Sequence, residues 1–144
     1  MEKDAIDRMG FMMEQALGTM TGSLAQAFKA NGIDLPHSQY AVLRLLYSSA
    51  APLTQIKIAE SLKKDAAAIK RTLDILERKG LVTRQAQNGR TNRVRCTDKA
   101  LAMKDVVTAT ASDTLRQIFG NFTDAELNGF INTLAKITDS RNAR

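Results

Sequence analysis

The chain is poor in the residues that most reaction centres need. It has one cysteine, one histidine and two prolines in 144 residues, and no long apolar run. Each scarcity closes off a class of protein. A single cysteine, Cys96, cannot build an internal disulfide framework and fits a reducing cytosol, so the expected location is cytoplasmic. A single histidine, His37, leaves little room for a histidine-based metal or catalytic cluster. No apolar stretch reaches the length that crosses a bilayer, so no membrane partner is expected. The first residues, MEKDAIDRMG, are acidic where a signal peptide is basic, and lack its apolar segment. There is no nucleotide-binding glycine loop, no nucleophile elbow and no zinc-ligand spacing. No catalytic residue, metal or cofactor is therefore expected, and the chain does not read as an enzyme.

What is present is charge of one sign in one place. The length fits one domain, 1–144, with enough chain to bury a core. The formal net charge is +6. Residues 1–35 carry three basic and five acidic side chains, residues 36–97 twelve and four, and residues 98–144 six of each. The whole positive excess thus lies in the middle segment, which suggests a local surface for a polyanion. A solvated charged face is the alternative for any such run taken alone.

Hydrophobic spacing gives the elements. From Asp4 to about Ala30, Ile6, Met13, Leu17, Met20, Leu24 and Ala27 recur at intervals of three, four and seven, which predicts a long amphipathic helix. Met9, Phe11 and Met12 widen its apolar face beyond what a small core needs. Gly32 in NGID ends the helix as a left-handed cap. A second helix runs from Pro36–Ser38 to about Tyr47, on Tyr40, Leu43, Leu46 and Tyr47, and SSAAP breaks it. Thr54 caps a short third helix carrying Ile58, Ala59 and Leu62, with Leu53 positioned to staple onto Ile58. Lys63-Lys64 closes it. KKDAAAIKRTLDILERKG follows, capped by Asp65, striped by Ile69, Leu73 and Leu76, and stopped by Gly80.

LVTRQ (81–85) and RVRC (93–96) have strand character, and Asn88-Gly89 between them is a strong hairpin signal. A long helix then runs from Thr97 to about Phe119, with Leu101, Val106, Val107, Leu115 and Ile118 among its apolar positions. In FTDAEL, Thr123 and Glu126 make a capping box and Phe122 can staple to Leu127. The last helix carries Leu127, Phe130, Ile131, Leu134 and Ile137.

The predicted class is mainly α with a small β-hairpin wing: a winged helix-turn-helix at 36–97 flanked by N- and C-terminal helices. Its physical logic is direct. A helix fits the DNA major groove, where base edges are distinguishable. A hairpin carrying arginine can reach the adjacent minor groove, where the potential is most negative.

The run LTQIKIAESLKKDAAAIKRTLDILERKGLVTRQAQNGRTNRVRCTDKA (53–100) resembles the core of the MarR family of bacterial transcription regulators. The likeness rests on the opening LTQ, the AESL turn, Asp65 at the cap, LDILERKGLV leading into the wing, and Thr-Asp-Lys before the next helix. QYAVLRLLY (39–47) is similar to the preceding helix of that family. The resemblance implies a homodimer held by residues 1–35 and 98–144, bound to pseudo-palindromic double-stranded DNA. It also implies a repressor released by a small phenolic ligand, a metal or an oxidant. The chain departs from the pattern in the wing. The family's Asp-x-Arg aligns with Asn88-Gly89-Arg90, so the arginine is kept and the acid that commonly holds it is lost. Cys96 replaces the usual leucine and Ala100 the usual glycine.

On the 65–80 stretch, Ala67, Lys70, Arg71 and Asp74 share the face opposite the apolar stripe. Lys70 and Arg71 are expected at phosphate or guanine. Ala66 and Ala67 either pack on thymine methyl groups or serve as helix formers that permit close approach. Lys63 and Lys64 suit phosphates, Arg90 is the leading wing residue with Asn88 at its turn, and Arg93 is next. Met13, Leu17, His37, Tyr40 and Leu43 are candidate residues of a pocket for a small aromatic or phenolic effector. Cys96 is either a redox sensor or, more in keeping with a strand end, a small buried residue. The competing reading is a winged-helix protein–protein module that does not read DNA, motivated by the three alanines and the missing wing acid.

Overall fold

In the computed structural model, residues 3–87 and 91–139 are described. Helix α1 spans Lys3–Ala30, α2 His37–Tyr47, α3 Gln55–Leu62, α4 Ala66–Arg78, α5 Asp98–Phe119 and α6 Asp124–Asp139. Strands β1 (Leu53–Thr54), β2 (Val82–Gln87) and β3 (Thr91–Cys96) form one antiparallel sheet in the order β1-β3-β2.

The helix ends follow from local chemistry. Gly32 and Gly80 both adopt φ of 75°, and the amides just beyond them fold back: Ile33 N–H to the Phe28 carbonyl and Leu81 N–H to the Leu76 carbonyl, each at 2.9 Å. These are the six-to-one closures of left-handed helix caps. Thr97 Oγ1 accepts from the Ala100 amide at 3.2 Å and donates to the Gly80 carbonyl at 2.6 Å. The start of α5 is thereby tied to the end of α4. Before α6, Thr123 Oγ1 accepts from the Glu126 amide at 3.1 Å, and Glu126 Oε1 accepts from the Thr123 amide at 3.0 Å, a closed capping box.

One core joins the elements. Leu24 and Phe28 from the end of α1 meet Tyr40, Val42, Leu43 and Leu46 of α2, Ile58 of α3, and Ile69, Leu73 and Leu76 of α4. Val82 and Val94 close it from the sheet, and Ala100, Val107 and Ala111 from α5. Ala100 is fully buried against this core, which explains why a small residue sits there. Tyr47 lies at its margin, with its hydroxyl donating to the Ala100 carbonyl at 2.7 Å. Burial pushes that phenol up to about 12.

Two features differ from the sequence reading. Leu53-Thr54, read only as the lead into α3, is also a third strand, pairing Leu53 with Val94 and Thr54 with Arg93. Two residues carry too little periodicity to announce a pairing. The β2–β3 register also runs further than the strands read from sequence, ending with Gln87 opposite Thr91, so three residues separate the paired ends. The two-residue turn expected at Asn88-Gly89 lies outside the described residues.

Candidate nucleic-acid interface

The helix-turn-helix is built from two caps and one strained residue. Thr54 Oγ1 accepts from the Lys57 amide at 3.1 Å and starts α3. Lys63 then adopts φ of 55°, left-handed for a residue with a side chain, while the Lys64 amide reaches the Ala59 carbonyl at 3.0 Å. Such a conformation costs on the order of 1 kcal/mol without glycine. Asp65 Oδ1 accepts from the Ala68 amide at 2.7 Å and starts α4. The turn is therefore short, and it leaves Lys63 and Lys64 exposed beside the first turn of α4.

Helix α4 buries Ile69, Thr72, Leu73 and Leu76. Ala66, Ala67, Lys70 and Arg71 are exposed, so the structure gathers the predicted helix residues on one accessible surface with Lys63 and Lys64. Lys70 Nζ lies 3.2 Å from Asp74 Oδ2, one turn along.

Arg84 is the residue whose role the sequence reading missed. Although it lies on the same hairpin, it does not point with Arg93 and Arg95. In the antiparallel register Arg84 faces Val94, the buried centre of β3. Directly opposed residues share a sheet face. Arg84 therefore projects from the inner face and reaches α4, while Arg93 and Arg95, flanking Val94, lie exposed on the other face. Arg84 is only 15% exposed. Its Nη2 lies 2.6 Å from Asp74 Oδ1 and 3.1 Å from Glu77 Oε1, and its Nη1 meets Gln55 Oε1 at 3.5 Å. The guanidinium, then Lys70, holds the Asp74 carboxyl below the usual carboxylate range, and Arg84 does the same for Glu77. The signal was present: Arg84 stands two residues after buried Val82, and two acids lie three apart on α4. Asn88 and Arg90, the leading wing residues from sequence, lie outside the described residues.

The five candidate effector-pocket residues are not gathered in the single chain. His37 and Tyr40 lie tilted to each other with ring centroids 6.2 Å apart, Tyr40 meets Phe28 at 5.1 Å, and Leu43 is fully buried. Met13 and Leu17 lie two to three turns before the buried part of α1 and are 45% and 55% exposed. A cleft of about 160 Å³ lies instead beside Pro52, Cys96 and Leu101. A second groove runs between α1 and α5 at Asn31, Thr110 and Gln117. Burial, then the charge of Lys64, pushes the His37 imidazole below its ordinary value, and its Nδ1 is buried without a hydrogen-bond partner. Cys96 is half-buried, and burial pushes its thiol up while Lys104 opposes the shift. A raised thiol is poorly nucleophilic, which favours the packing role. Among the described residues no three His, Cys, Asp or Glu side chains come together as a metal site, and no helix is long and apolar enough to cross a membrane.

A helix-turn-helix followed by a hairpin, packed on a three-stranded sheet and flanked by long helices, defines a winged helix-turn-helix protein. The sequence model of the MarR family matches residues 35–90. Solved structures extend the likeness over nearly the whole chain. A MarR-family transcriptional regulator from Rhodococcus sp. RHA1 is 25% identical with a TM-score of 0.81, the match covering 94% of this chain and 96% of that one. A probable transcriptional regulator from Pseudomonas aeruginosa is 26% identical with a TM-score of 0.80, covering 92% and 98%. CouR from Rhodococcus jostii RHA1, solved bound to p-coumaroyl-CoA, is 26% identical with a TM-score of 0.77, covering 90% of each. The chain is thus similar to MarR-family transcription regulators, by sequence over residues 35–90 and by fold over nearly its whole length.

Proposed function

We propose that the chain is a sequence-specific transcription regulator that binds double-stranded DNA as a homodimer on a pseudo-palindromic site. The observation that carries this reading is the α4 surface. Its inner stripe is locked in the core while Lys63, Lys64, Ala66, Ala67, Lys70 and Arg71 stay accessible on one side. Residues 36–97 then form the DNA-binding part of a single domain, with Arg93 and the wing residues Asn88 and Arg90 serving the adjacent groove. Residues 1–35 and 98–144 supply the dimer contact. Support comes from α6, which buries no residue, and from α1, where every residue from Ile6 to Thr19 is exposed.

In a dimer the two α4 helices must stand about one turn of DNA apart, roughly 34 Å. An effector seated among the flanking helices changes that separation and so lowers affinity without touching the reading residues. The chemistry expected of it is aromatic or phenolic, the class that p-coumaroyl-CoA represents on CouR. Met13 and Leu17 join His37, Tyr40 and Leu43 in such a site only if a second chain covers α1.

The test is duplex binding as a function of salt, on fragments selected from the parent genome. Affinity should fall steeply as salt rises, and Arg71→Ala should lower the slope of log K against log salt by about 0.9, one phosphate's worth of counterion release. Absence of duplex binding at low salt would overturn this reading and favour the protein–protein module.

A further inference from the structure

The α4 surface offered to DNA carries an acid. Asp74 lies on the same helical face as Ala67, Lys70 and Arg71, and an uncompensated carboxylate there repels phosphate and competes for the neighbouring lysine. Both Asp74 oxygens are engaged: Oδ2 by Lys70 at 3.2 Å and Oδ1 by Arg84 at 2.6 Å. The two partners are unequal. Lys70 has a side chain 65% exposed and makes a one-turn surface pair, a kind that holds weakly. Arg84 is largely enclosed, makes the shorter contact, and is also held by Glu77, which shares its Nη2, and by Gln55 at Nη1.

From this geometry we propose that Arg84 is a positioning residue for DNA binding. It keeps Asp74 neutralised from inside the sheet so that Lys70 is free to leave Asp74 for the nucleic acid. The inference rests on the DNA-binding reading above. When Lys70 departs, Arg84 still holds Asp74 at 2.6 Å, so the carboxylate is not left unpaired, although Asp74, Glu77 and Arg84 together then carry one formal negative charge. Without Arg84, Asp74 retains Lys70 as its main cation, and Glu77 adds a second unmatched carboxylate on the same helix. The inward arginine thus acts on DNA through a lysine it does not touch.

A purely mechanical clasp between β2 and α4 makes a different prediction, and a second substitution separates the two. Arg84→Met in the full chain should weaken duplex binding and lower the salt slope by about one, because Lys70 stays on Asp74. Adding Asp74→Asn should restore the slope, since an amide no longer retains the lysine, although the clasp is still absent. Circular dichroism and thermal melting check that both variants fold. If Arg84→Met does not fold, Arg84→Gln removes the charge while keeping a donor, and the same pair of slopes is read with it. A wild-type slope in the single variant, or no recovery in the double variant, would overturn the inference and leave Arg84 as a brace. If the wild-type chain itself fails to bind duplex DNA at low salt, the functional reading falls, and this inference with it.

Discussion

The elements from α2 to β3 and the outer helices solve the burial problem differently. Between α2 and β3 every amphipathic helix finds its partner within the chain. Val42, Leu43, Ile58, Leu73, Leu76, Val82 and Val94 are all essentially inaccessible. The outer helices are incomplete. Helix α6 is amphipathic and well capped, yet Phe130, Ile131 and Ile137 are 49%, 61% and 46% exposed. The N-terminal part of α1, up to Thr19, leaves Met9, Phe11, Met12 and Leu17 in solvent. Apolar faces of this extent are normally covered in solution. One part of the molecule closes its core within the chain, while the other leaves apolar faces that its own fold does not cover.

That contrast can be broken at either end. The largest effect is expected inside the closed part: Leu73→Ala should lower unfolding free energy by about 2–5 kcal/mol in urea titration, through lost burial and a cavity. A loss below about 1 kcal/mol would mean that the core is looser than its packing implies. Next comes the open part. If the proposed homodimer uses α6, Ile131→Glu should raise its dissociation constant roughly 30-fold, or about 2 kcal/mol, by analytical ultracentrifugation, while helix content is kept. Unchanged association there would remove α6 from the dimer contact.

The α3–α4 turn should respond more mildly. Asp65→Ala deletes one cap bond and should cost about 1 kcal/mol in the same urea titration.

The smallest effect concerns His37, whose imidazole is depressed below its ordinary 6.5 by burial and then by Lys64. A depressed group leaves the folded state binding fewer protons than the unfolded chain. Its contribution to stability is therefore present above about 6.5 and is lost as pH falls through the folded value. Replacing His37 with glutamine should flatten the decline of melting temperature across that interval. An unaltered profile would assign the decline to other groups.

Much of the fold was legible because its signals are local. Asp65, Thr54, Thr97 and the Thr123–Glu126 box announce helix starts through contacts only three residues away. Gly32 and Gly80 announce stops through a backbone region glycine favours. The stripe Ile69, Leu73, Leu76 then dictated which side of α4 faces out, so Lys70 and Arg71 could be placed from spacing alone. Lys63 gave no such signal, because a left-handed lysine is held by the surrounding turn and not by its own preference. The candidate pocket residues on α1 and α2 were legible only as apolar positions. Whether Met13 and Leu17 meet Tyr40 and Leu43 depends on what covers α1.

The sequence by itself therefore determined where helices begin and end, which faces are apolar, and that the positive excess lies between residues 36 and 97. These follow from interactions within a turn or two of chain. Only the tertiary structure decided that Leu53-Thr54 joins the sheet, and that Arg84 turns inward to Asp74 and Glu77 while Arg93 and Arg95 face away. Strand pairing and pleat set those outcomes, and they bring together residues from seven to forty-one positions apart.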